Sequence, residues 1–175
     1  MRIERFHLDK ETLITDDLSD INYLRQTFSV SGNPTPVKTR MGHGLSLDGT
    51  DDKIVFGNVN GTLKTFLMFV QLASTTEQIA DFDSGTNYLS ASTGTLSVAS
   101  CADEVLYVGT SQTATVGAGS MVLVGFTTAT GITVSNLQIG TDNTDFGQII
   151  VAKMILSGRE WSSSEISNLA LGRSF

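Results

Sequence analysis

Gly44-Leu45-Ser46-Leu47-Asp48-Gly49-Thr50-Asp51-Asp52-Lys53-Ile54-Val55 reads as two short strands joined by a tight turn. Leu45 and Leu47 alternate with polar neighbours, which places them on one face of a pleated strand. Asp48-Gly49-Thr50-Asp51 has hairpin-turn chemistry: glycine tolerates positive φ, and aspartate accepts nearby backbone N–H groups. Ile54 and Val55 restart an extended run. Further along, Phe66/Met68/Val70/Leu72 and the interleaved Leu67/Phe69 repeat the period of two. So do Met121/Leu123 against Val122/Val124.

Short runs of this kind recur and predict strands near 44–48, 53–56, 63–72, 78–82, 87–91, 95–99, 105–108, 121–127, 132–139 and 147–156. Ser84-Gly85, Thr93-Gly94 and Thr130-Gly131 supply further turns. The pattern predicts an all-β domain of antiparallel sheets packed face to face. At the end, Ser162 and Glu165 form a capping box for a helix that Gly172 terminates. Ile166, Leu169 and Ala170 share one face of it, so the helix docks on the sandwich.

Composition agrees. The chain has 175 residues, 17 glycines and 2 prolines, with 40% hydrophobic and 17% charged side chains. That length suits one domain with a sizeable core, and excludes a disordered acidic chain. The net charge of −7 argues against nucleic acid as a partner, since phosphate neutralisation needs clustered Lys and Arg. The start, Met1-Arg2-Ile3-Glu4-Arg5-Phe6-His7, lacks the apolar stretch of a secretory signal, and no window approaches the length of a membrane span. Cys101, the single cysteine, excludes an internal disulfide and reads as a small packed thiol.

Residues 1–40 differ from the rest and read as an N-terminal arm leading into a domain over 41–175. They hold both prolines, a charged stretch from Asp9 to Asp20, and a short helical pattern over 20–25 capped by Ser19. Asn33-Pro34-Thr35-Pro36 is held extended, because a residue before proline avoids the helical region.

In order and spacing, three stretches resemble the concanavalin A-like lectin/glucanase superfamily, specifically its laminin G-like jelly-roll modules. They are Gly44–Val55, Leu63–Val70, and the run from Leu137-Gln138-Ile139-Gly140 through Phe146–Leu156 to the Ser-Ser-Glu-Ile helix. The resemblance covers about residues 42–172. It implies two antiparallel sheets in a jelly-roll sandwich, and calcium held by loops at the sheet rim, as in many such modules.

The inventory of reactive groups is thin. Glucanases of similar fold carry Glu-x-Asp-x-x-Glu on one strand, and nothing here matches. Asp81 and Asp83 flank Phe82 but run straight into Ser84-Gly85, so they read as turn residues. His7 and His43, the only histidines, have no local nucleophile, and no Gly-x-Ser-x-Gly elbow occurs. Calcium wants six to eight oxygens, for which Asp48, Asp51 and Asp52, and Asp142 and Asp145 in Thr141-Asp142-Asn143-Thr144-Asp145, are the candidate ligands. Plain solvated turns use the same residues. Sugar binding calls for an aromatic platform, for which Tyr88, Tyr107 and Trp161 are candidates, Trp161 fitting better as a helix-docking residue.

Two functions follow as expectations. The first is a non-enzymatic bacteriophage virion component, such as a capsid-decorating, head-fibre or tail-associated subunit. It would be made in the host cytoplasm and would assemble through its arm with other virion proteins and copies of itself. The second is a carbohydrate-binding module that recognises surface glycans.

Overall fold

The computed structural model describes residues 6–8, 13–15, 28–59 and 61–172. The expected short helix over 20–25 lies outside them. Two antiparallel sheets pack as a jelly-roll sandwich. The first runs through β1 (Phe6–Leu8), β2 (Leu13–Thr15), β4 (Thr35–Thr39), β5 (Gly42–Ser46), β7 (Thr62–Leu72), β11 (Glu104–Val108), β12 (Ser111–Gln112), β13 (Val122–Thr133) and β15 (Ile149–Ser157). The second holds β3 (Ser29–Ser31), β6 (Lys53–Gly57), β8 (Glu77–Asp81), β9 (Tyr88–Ser92), β10 (Thr95–Val98) and β14 (Leu137–Ile139). Helix α1 (Ser163–Ala170) follows.

The order in the first sheet is β12-β11-β13-β7-β15, and beyond β15 lie β5 at Ile150–Val151 and β1 at Lys153–Met154. The second is ordered β10-β9-β8-β14-β6-β3. Segment 28–40 thus contributes β3 to one sheet and β4 to the other. Pro36 is accommodated because β4 pairs with β5 alone, leaving an outer edge where a missing N–H costs no ladder bond.

Between the sheets, Phe66 and Phe126 meet Phe82 edge-on at centroid distances of 5.1 and 5.6 Å. Such T-shaped contacts set the positive ring edge against a negative face. Leu45, Leu47, Ile54, Leu89, Ile139 and Val151 complete this core.

A second cluster lies on the other face of the first sheet. Leu67 and Phe69 of β7, Leu123 of β13 and Ile155 of β15 are covered by Trp161, Ile166 and Leu169. Strand β15 faces both clusters by alternation, and a register shift between Val151 and Lys153 exchanges which residues face which. Ile149 and Val151 face the sandwich, Ala152 faces the helix, and Met154 and Leu156 return to the sandwich. One extra residue reverses the alternation, as a bulge must.

The helix docks as expected. Ser162 Oγ accepts the Glu165 N–H while Glu165 accepts the Ser162 N–H at 2.8 Å, completing the capping box. Arg159 pairs with Glu165 through both terminal nitrogens, at 2.8 and 3.1 Å, and holds that carboxyl down at about 2. Thr65 Oγ1 donates to the Arg159 carbonyl and accepts the Trp161 N–H, tying the connection to β7.

Two expectations are corrected. The Asp48-Gly49-Thr50-Asp51 turn does not close a hairpin: β5 pairs with β4 and β15 in the first sheet and β6 with β14 and β3 in the second, so the turn crosses between the sheets. Thr130-Gly131 does not separate two strands: β13 continues from Val122 to Thr133, and pairing with β7 shifts register between Thr127 and Ile132. Asp103 explains this irregularity. Its carboxylate accepts the Thr128 and Thr130 hydroxyls and the Thr130 N–H at 2.8 Å, so the extra residues are held beside the ladder. These donors, Thr128 first, keep the Asp103 carboxyl at about 2. Nearby, Cys101 is half-buried, and burial pushes its thiol up.

Candidate functional site

At one end of the sandwich three turns converge, each braced by carboxylates that accept backbone N–H groups. In the 48–52 turn, Asp48 Oδ1 accepts from Thr50 at 2.8 Å, and Asp52 Oδ2 accepts from Asp48 at 3.1 Å. Asp52 is buried, and its Oδ1 also accepts from Asn33 at 2.6 Å. In the second turn Asp142 Oδ1 accepts from Thr144 at 2.9 Å and Asp145 at 2.7 Å. Glu77 braces the third: Oε1 accepts from Ser74 at 2.9 Å and Oε2 from Gln148 at 2.7 Å.

Gly147 locks two of these loops together. A Cβ there would stand 1.9 Å from the Gln78 carbonyl oxygen, so only glycine permits this approach. The turns enclose an open depression of about 640 Å³ lined by Gly49, Thr50, Thr76, Glu77, Gln78, Thr144, Asp145 and Phe146. Phe146 is half-buried there, with Lys53 Nζ 5.9 Å from its ring centroid. Gln78 Oε1 is buried without a hydrogen-bond partner among the described residues. An amide oxygen so placed is a standing acceptor, costly to leave unused.

The five candidate calcium ligands divide. Asp48, Asp51 and Asp52 come together, with one carboxylate oxygen of each within 4.8 Å of the others. Asp142 and Asp145 lie outside that group, and Asp145 instead lines the depression beside Thr50. Both Asp52 oxygens point at N–H donors, whose positive ends occupy directions a cation would need. These donors fit the turn they build and leave Asp48 Oδ2 and Asp51 as the acidic oxygens facing solvent. The rest of a shell of six to eight oxygens would have to come from backbone carbonyls and water.

Of the aromatic candidates, Tyr107 and Trp161 are buried in the cluster under α1, and Tyr88 is half-buried in β9. Asp81 is fully buried and accepts N–H groups of Asp83 and Gly85, the turn role its sequence context suggests. His43 is exposed on β5, opposite Lys38. Sequence reasoning missed Phe146 and Gln78 as site residues. The available signal was an aromatic next to glycine within an Asp/Asn/Thr-rich turn.

No family model and no curated protein sequence matches the chain. Solved structures do. The chain superposes on the receptor-binding domain of a botulinum neurotoxin C/D mosaic serotype with a TM-score of 0.60, at 10% identity over 98% of its length. It superposes on the W1238A mutant of HCR/D with a TM-score of 0.63, at 12% identity over 98% of its length. It spans 51% of each of these two chains. Domain 4 of AbnA, a GH43 extracellular arabinanase from Geobacillus stearothermophilus solved with arabinotriose, gives a TM-score of 0.55 at 13% identity, with 97% of this chain and 98% of that one covered. These likenesses establish the fold, a lectin-like β-sandwich.

Proposed function

We propose that this protein is a non-catalytic carbohydrate-binding module, with its site in the depression between the 48–52, 74–78 and 141–146 turns. The observation that carries the reading is one open cavity of about 640 Å³ in which a half-buried aromatic, Phe146, sits among the polar side chains of Thr50, Thr76, Gln78, Thr144 and Asp145. A sugar presents an apolar ring face and a rim of hydroxyls, which an aromatic ringed by polar groups complements. The arabinotriose bound to the AbnA domain, which matches this chain end to end, supports the same class of ligand. Glu77 does not suit proton transfer, because both its oxygens brace backbone N–H groups. Binding on a glycan array, lost in Phe146→Ala at unchanged melting temperature, is the expected result. No signal at high protein concentration would overturn the proposal.

A second reading places the module on a bacteriophage particle, assembled with virion proteins and copies of itself. Assembly between copies would use β3, an outer strand of the six-stranded sheet whose three residues are all exposed, Val30 at 41%. Such an edge can accept a neighbour's strand. Light scattering coupled to size exclusion tests it: a closed oligomer is expected, and a monomer at high concentration counts against it.

A further inference from the structure

We infer that the depression takes uncharged, hydroxyl-rich oligosaccharides and turns away sialylated, sulfated or uronic-acid chains. This rests on the glycan-binding reading and adds the charge class of the ligand. The two acidic side chains lining the cavity, Glu77 and Asp145, stand among the neutral Thr50, Thr76, Gln78 and Thr144, with no basic side chain among the described lining residues. Glu77 is 8% exposed, and its two carboxylate oxygens accept N–H groups in the wall. Asp145 adds an exposed carboxylate.

A sugar hydroxyl can donate to the exposed Asp145 carboxylate and exchange hydrogen bonds with the threonine hydroxyls. A carboxylate or sulfate brings only acceptors and a like charge, and has no donor to offer. The cation beside the site, Lys53, lies over the Phe146 ring. The bracing turns carry Asp48, Asp51, Asp52 and Asp142 as well, and the whole chain has a net charge of −7, so the longer-range field also opposes an anion. Repulsion of this kind selects against a ligand as effectively as contacts select for one.

The test measures matched pairs by titration calorimetry on the intact protein. Xylotriose, arabinotriose and lactose form the neutral set, with trigalacturonate and 3′-sialyllactose as charged members. The wild type is expected to bind one or more neutral sugars on the order of tenfold tighter than the charged members at low salt. The gap should shrink as ionic strength rises. Asp145→Asn should narrow it further, since the hydrogen bonds of Asp145 run through its backbone and the turn survives the change. Equal or tighter binding of the charged members would overturn the inference while leaving the glycan reading intact. Binding of neither set would remove the glycan reading itself, and the inference with it.

Discussion

Gly32 and Asp52 fit together only because Gly32 has no side chain. A Cβ at that position would stand 2.2 Å from Asp52 Oδ1, and the Gly32 backbone adopts φ +75°. The buried carboxylate thereby reaches the Asn33 N–H and fastens segment 28–40 to the turn that borders the depression.

Gly32→Ala should therefore destabilise on two counts, left-handed backbone strain and displacement of the carboxylate. The expected loss is about 2 kcal/mol, within the range for such strained positions. Denaturant melting checks this, with Gly57→Ala as the comparison: it shares positive φ but meets nothing within 4 Å. Equal losses in the two variants would show that Asp52 plays no part.

Breaking the capping box should loosen α1 first. Ser162→Ala is expected to cost about 1 kcal/mol. The fluorescence of Trp161, packed under the helix, should respond earlier than far-UV circular dichroism, which the sheets dominate. Coincident transitions would mean that helix and sandwich melt as one unit.

Acid should weaken the fold over a defined range. Asp103 and Glu165 sit at about 2 in the folded protein, against ordinary values of 3.8 and 4.5. The unfolded chain then binds protons first, so stability is full above about 4.5 and is lost as pH falls through 2. Asp103→Asn should flatten part of that decline and lower stability at neutral pH. Melting temperatures at several pH values give the test.

Millimolar calcium and chelator should leave the melting temperature unchanged, because N–H donors already engage both Asp52 oxygens. A rise of several degrees in calcium, abolished by Asp51→Asn, would show that the Asp48/Asp51/Asp52 group closes into a cage after all.

What the sequence made legible was local. The Ser162–Glu165 box is written within a few residues and forms as expected. The 48–52 turn is equally local, but its hairpin chemistry does not tell that it carries the chain from β5 in one sheet to β6 in the other. What it hid depends on partners far along the chain. Nothing near Thr130 announces Asp103, the residue that keeps β13 running through a turn-like Thr-Gly pair. The extended Asn33-Pro34-Thr35-Pro36 run does not reveal that β5 pairs with it. Nothing in the Phe146–Leu156 run singles out Phe146, because its exposure is set by three loops that meet only after the sheets assemble.

The helix covering Leu67, Phe69, Leu123 and Ile155 also acts as a seal. Strand β15 is apolar on both faces, and Ile149-Ile150-Val151-Ala152 carries no charge. Detaching α1 would bare a broad apolar sheet surface of the sort that draws chains into aggregates. The eight residues from Ser163 to Ala170 therefore guard solubility as well as packing, and a chain cut before Trp161 should precipitate where the intact one stays dispersed.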